Sequence, residues 1–169
     1  MVSGIVAAAI PTASNVYMKT VDAANAQVLL STVMTELRNE LSDAVIESPT
    51  GDESATTITY THGNGGTRSL SLVSNGTPED GIVLSVQEYQ YNSETGMITQ
   101  STTTQSRLLV SSTAATNDLV VSFEGASFAD GVLTFKNLTV KKMNKDGTTG
   151  NALAECASFA IRGLKQPDP

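Results

Sequence analysis

The sequence predicts an α+β fold in which a long N-terminal α-helix packs on an antiparallel β-sheet. Three observations predict it. Glycine is absent between Thr12 and Thr50, and that stretch keeps a helical rhythm of apolar residues. After Gly51 the chain changes to short alternating runs separated by turn residues. No second helical segment follows, so one helix must cover one face of the sheet.

The helix is expected over residues 1–48, as an apolar stub at 2–10 and an amphipathic part at 12–46. Val21, Ala24, Val28, Leu30, Val33, Met34, Leu37, Leu41, Ala44 and Val45 recur at three- and four-residue spacing, and Glu36, Arg38, Asn39, Glu40 and Asp43 mark the wet face. Pro11 lacks an N–H, so it either kinks the helix or starts its second half. Ser48-Pro49-Thr50-Gly51 is read as the stop, because the residue before a proline disfavours the helical region. A continuous helix from Val2 to Ile46 would span roughly 65 Å at ~1.5 Å per residue, more than so small a domain can cover.

Residues 49–165 are read as the β-sheet head and 166–169, Gln166-Pro-Asp-Pro169, as a loose tail. Strands are expected at Thr56–His62 and Arg68–Ser74 around Gly63-Asn64-Gly65-Gly66. Others are expected at Ile82–Tyr91, which passes through Asn92-Ser-Glu-Thr-Gly96 into Met97–Thr102, and at Arg107–Ser111 and Leu119–Phe123. Gly131–Met143 is the longest and turns at Asn144-Lys-Asp-Gly147 into Ala152–Leu164. Asn75-Gly-Thr-Pro78 marks a further turn, and Ser101–Ser106 an exposed edge or loop. The pattern is that of an antiparallel meander.

Of 169 residues, 17 are Asp or Glu against 10 Lys or Arg, a formal net charge of −7. Such a surface repels phosphate backbones, so no nucleic-acid partner is expected, and the pair Lys141-Lys142 is too small a basic footprint. The single cysteine, Cys156, cannot close an internal disulfide and is read as a small buried residue in a strand. His62 is the only histidine and lacks partners for acid–base or zinc chemistry. The Gly63–Gly66 run lacks the lysine and following helix of a phosphate loop. Asp130-Gly131 and Asp146-Gly147 read as hairpin turns rather than calcium loops, and an acidic loop such as that around Glu79 and Asp80 could hold a lone calcium ion. Asn75-Gly-Thr77 and Asn137-Leu-Thr139 match the glycosylation tripeptide. No catalytic residue, metal ligand or cofactor is therefore expected, and the protein is read as a non-enzyme.

The apolar face of the helix begins earlier than a head could reach. Val2, Ile5, Val6, Ile10, Val16, Tyr17 and Val21 form an apolar series that marks a membrane or partner surface, and the surrounding Gly, Ala and Ser permit close helix approach. The charge-free run Val2–Ile10 is about half of the ~20 residues that cross a bilayer, and is expected to be the remnant of a truncated membrane segment. On the head, Tyr89 and Tyr91 lie on one face of a strand and could form an aromatic platform.

With these stretches the chain resembles the type IV pilin-like proteins, as a minor pilin or pseudopilin truncated at its N-terminus. The resemblance is carried by Val2-Ser-Gly-Ile-Val-Ala-Ala-Ala-Ile-Pro11 and its continuation Ala24–Leu41, by Tyr89–Thr99, and by Phe128–Val140. It implies a structural subunit of a pilus-like or type II secretion pseudopilus filament. The helix would anchor the precursor in the cytoplasmic membrane and, after leader processing and N-terminal methylation, bundle in the filament core. The head would be displayed at the bacterial cell surface or along an extracellular filament. The implied partners are other pilin-like subunits and the assembly machinery, with Val2, Ile5, Val6, Ile10, Val16, Tyr17 and Val21 as the assembly interface. The family's leader, processing site and acidic residue are expected to lie upstream of Met1. The alternative reading is a helix-tethered surface module whose β-domain recognises glycan or protein through Tyr89 and Tyr91.

Overall fold

A computed structural model describes residues 2–63, 66–73, 81–87, 89–100, 104–107 and 118–165, with side chains described outside 2–12, 52–53, 72–73, 89–92, 99–100 and 104–107. The helix α1 runs from Val2 to Leu41 as one element through Pro11. Twelve strands follow: β1 Val45–Ser48, β2 Gly51–Ala55, β3 Thr57–Thr61, β4 Thr67–Val73, β5 Gly81–Val86, β6 Tyr89–Asn92, β7 Met97–Gln100, β8 Thr104–Arg107, β9 Leu119–Ser122, β10 Gly125–Ala129, β11 Val132–Met143 and β12 Thr149–Arg162. The fold is thus α+β.

The helix stops earlier than its spacing suggests. Ser42 donates through both N–H and Oγ to the Asn39 carbonyl, and the Ala44 N–H donates to Leu41 O, which closes the last turn. Val45 and Ile46 then pair with Thr61 and Tyr60 of β3, so the expected boundary at residue 46 is corrected to Leu41. The β-branched pair continues the helical count, yet it does more at a sheet edge, where such side chains pack well.

The expected single meander is instead two sheets and a ribbon. One sheet has the order β1-β3-β4-β5-β8; the other has β12-β11-β10-β2, with β9 also on β11; β6 and β7 pair with each other. Every pairing between these strands is antiparallel. The run Ile82–Tyr91 divides into β5 and β6, with the Gln87 N–H donating to Thr67 O before the chain leaves the first sheet. The turn at Asn75–Pro78, residues 108–111 of the expected strand Arg107–Ser111, and the tail 166–169 lie outside the described residues.

In the second sheet β9 and β10 lie end to end along the same edge of β11. At the break between them Asn137 takes φ 51°, a left-handed conformation that asparagine adopts more readily than most residues. Its Nδ2 donates to Glu124 Oε1 at 2.8 Å, and the Glu124 N–H donates to Lys136 O at 3.0 Å. The buried positions shift register there, from Leu133 and Phe135 to Leu138 and Val140. The β10–β11 hairpin turns on Asp130 and Gly131, both at positive φ (51° and 72°), as a type I′ connection demands.

A single core joins helix and sheets. Ala26, Leu29, Leu30, Val33, Leu37 and Leu41 line the inner face of α1 and meet Ile46, Ile58, Tyr60, Leu70 and the Leu133–Val140 series. Phe135 sits at its centre, edge-on to Phe123 at 5.4 Å and stacked on Phe159 at 6.0 Å. Each such ring pair adds about 1 kcal/mol beyond area burial. Cys156, expected to be buried, is half-buried on β12 and packs against this core.

Candidate functional site

The helix meets the head over only part of its length. Burial along the helix begins at Val21 and Asp22, both half-buried, and the inner face is buried from Ala26 onward, whereas every residue from Ala13 to Thr20 is exposed. Ion pairs set that boundary and the far end. Lys142 Nζ on β11 reaches Asp22 Oδ2 at 2.5 Å. At the other end Glu40 Oε1 accepts from Arg68 Nη1 at 2.6 Å and from Tyr60 Oη at 2.7 Å, tying α1 to β3 and β4. Arg38 lies over the Phe159 ring at 5.3 Å from its centre.

Ahead of Asp22 the helix has large apolar side chains in water. Val16 is 60 % exposed, Tyr17 69 % and Met18 57 %. Thus Val16 and Tyr17 of the expected interface stand free of the head and Val21 lies at its rim. Val2, Ile5, Val6 and Ile10 belong to the same helix, and their side chains lie outside the described residues. Among the described residues no helix is long and apolar enough to cross a membrane.

A second exposed apolar surface was not read from the sequence. Met97 and Ile98, 63 % and 70 % exposed, sit at the start of β7 beside the turn at 93–96. Tyr91 pairs with Ile98 and Tyr89 with Gln100 in the ribbon; the two tyrosine side chains lie outside the described residues. Two adjacent apolar residues break the alternation of a short strand, and that signal was available at Met97-Ile98.

The chemical candidates have structural uses. His62 is half-buried at the end of β3, and its N–H donates to Gly66 O across the turn. Asp146 accepts from the Thr148 hydroxyl and N–H in the β11–β12 turn, which holds its carboxyl below the usual range. In the tripeptide Asn137-Leu-Thr139, the asparagine is held by Glu124 and Thr139 is buried, its hydroxyl 3.0 Å from Ser122 Oγ. Glu79, Asp80 and the tripeptide at Asn75 lie outside the described residues. Among the described residues no group of three or more His, Cys, Asp or Glu is placed to hold a metal. Compared with family models, curated proteins and solved structures, the chain matches none.

Proposed function

We propose that this protein is a non-enzymatic structural subunit of a type IV pilus-like or pseudopilus filament. Its helix would pack among the helices of neighbouring subunits, and its β-domain would face outward. One observation supports this above the others: a helix that leaves its own head near Val21 continues with Val16, Tyr17 and Met18 in solvent. Exposed apolar side chains on an isolated helix are costly in water and gain by transfer to a partner or a bilayer. In the precursor, membrane anchoring would draw on the apolar run at residues 2–10. Moving such a helix from lipid to a helix bundle exchanges one apolar environment for another, so close packing of small residues decides assembly.

The test is crosslinking in intact cells of Ile5→Cys and Val16→Cys variants in a Cys156→Ser background. A ladder of multimers is expected. Monomer alone at both positions would overturn the filament reading.

A second reading, a surface module that binds glycan or protein, is favoured by Met97 and Ile98 on the ribbon. It predicts that Ile98→Ser abolishes binding of the full chain to a glycan or protein array and leaves crosslinking at Val16→Cys unchanged.

A further inference from the structure

The sulfur atoms of this chain are unevenly sheltered. It holds five methionines and one cysteine. Met143 is buried on β11, and Met34, half-buried on α1, packs against the core. Cys156 is half-buried, and its thiol donates to Ser158 O at 3.4 Å. Met18 and Met97 instead stand 57 % and 63 % exposed. Each belongs to one of the two exposed apolar surfaces, Met18 beside Val16 and Tyr17 on the protruding helix and Met97 beside Ile98 on the ribbon.

An exposed thioether is open to peroxide, whereas one packed in a core is shielded. The sulfur lone pair attacks one peroxide oxygen, so that an S–O bond forms as the O–O bond breaks. The second oxygen takes up the proton of the first and leaves as water. Sulfur thereby gives up two electrons and the peroxide accepts them. The product is a polar, chiral sulfoxide where a flexible apolar side chain stood. Between Ala13 and Val33 the helix contains no sulfur other than that of Met18. Oxidation there falls on a segment without tertiary contacts, whose apolar side chains gain only by leaving water. The methionines that support the fold, Met34 and Met143, are the sheltered ones.

We propose that Met18 is a redox-sensitive modification site. Peroxide oxidises it in the unassembled subunit, and the sulfoxide holds the helix out of its assembly contacts while the head stays folded. A thiol-dependent sulfoxide reductase would reverse the change: two thiols supply the electrons and become a disulfide, and the oxygen leaves as water. The proposal rests on the filament reading and adds to it a chemical control over when the protruding half can associate.

Two measurements test it. The full chain is treated with dilute hydrogen peroxide, and the sulfoxide at each methionine is followed by peptide mass spectrometry. Met18 and Met97 are expected to convert about tenfold or more faster than Met34 and Met143. Equal rates at Met18 and Met34 would overturn the site. In intact cells, crosslinking of Ile5→Cys in the Cys156→Ser background by a bis-maleimide is compared with and without prior peroxide. The multimer ladder is expected to fall about fivefold or more after peroxide when residue 18 is methionine. With Met18→Leu it should be the same before and after peroxide, and with Met18→Gln, which carries a polar amide there, it should be weak in both. A ladder that Met18→Leu also loses to peroxide, or that Met18→Gln forms in full, overturns the proposal and leaves the filament reading standing. No ladder from any variant before peroxide overturns that reading and the proposal with it. Unchanged melting of the oxidised chain separates lost association from lost folding.

Discussion

Glu40, Tyr60 and Arg68 show how one carboxylate decides the fit of helix to sheet. The Glu40 and Arg68 side chains are 17 % and 21 % exposed, and Tyr60 is fully buried. Removing a donor therefore leaves a largely desolvated carboxylate short of partners. Tyr60→Phe is expected to cost about 1 kcal/mol and Arg68→Met about 2 kcal/mol in urea unfolding. Burial, and then the Glu40 carboxylate, push the Tyr60 phenol above its ordinary range. The folded chain thus keeps a proton that the unfolded chain releases above about pH 10. Stability from this source is complete below that pH and falls as pH rises past it. Tyr60→Phe should make the alkaline loss of stability shallower, measured as unfolding free energy between about pH 9 and 11. At Asp146 the sign is opposite: Thr148→Val should bring its carboxyl back up toward the ordinary range, read by NMR titration.

At the scale of elements, the sequence revealed those whose pattern is long. The strands β3, β4, β9, β11 and β12 were legible because apolar residues repeat there at alternating spacing. The inner face of α1 was legible only from Leu30 onward, since Ala24 and Val28 of the same apolar series are exposed while Ala26 and Leu29 are buried. Strand β2, Gly51-Asp-Glu-Ser-Ala55, was not legible, since it holds two carboxylates and no large apolar residue. It exists through its pairing with β10, itself a short strand of mostly small residues. That pairing depends on Gly125, where an added Cβ would fall 1.9 Å from Ser54 Oγ. Gly125→Ala should destabilise by about 1–3 kcal/mol, and Ser54→Ala should recover part of the loss in a double-mutant cycle. Ser31, Thr32 and Thr35 look like any polar face until their hydroxyls are seen turned onto their own backbone.

For the whole molecule, the helix divides into a half that shares the core and a half that does not. Short helices without tertiary contacts are marginal in water, so amide exchange should be fast over Ala13–Thr20 and slow over Val33–Leu41. Deleting residues 1–20 retains Asp22 and its partner Lys142, and should shift the melting temperature by less than about 4 °C. The protruding half was legible from its apolar residues and from the length of the helix. Contact with the head begins where an ion pair between residues far apart in sequence, Asp22 and Lys142, ties the helix to β11.

The turn at 42–44 hands the chain from helix to β1, and β1 is held on both flanks. One flank pairs with β3; on the other the Ile46 N–H donates to Lys165 O at 2.8 Å, beside the parallel bridge of Val45 to Lys165. A pull on the helix therefore does not reach a free edge. It is delivered to a strand anchored to the first sheet on one side and to the segment leaving β12 on the other. Tension is shared between both sheets at the point of entry, and the head should yield as a unit under load rather than shed its first strand.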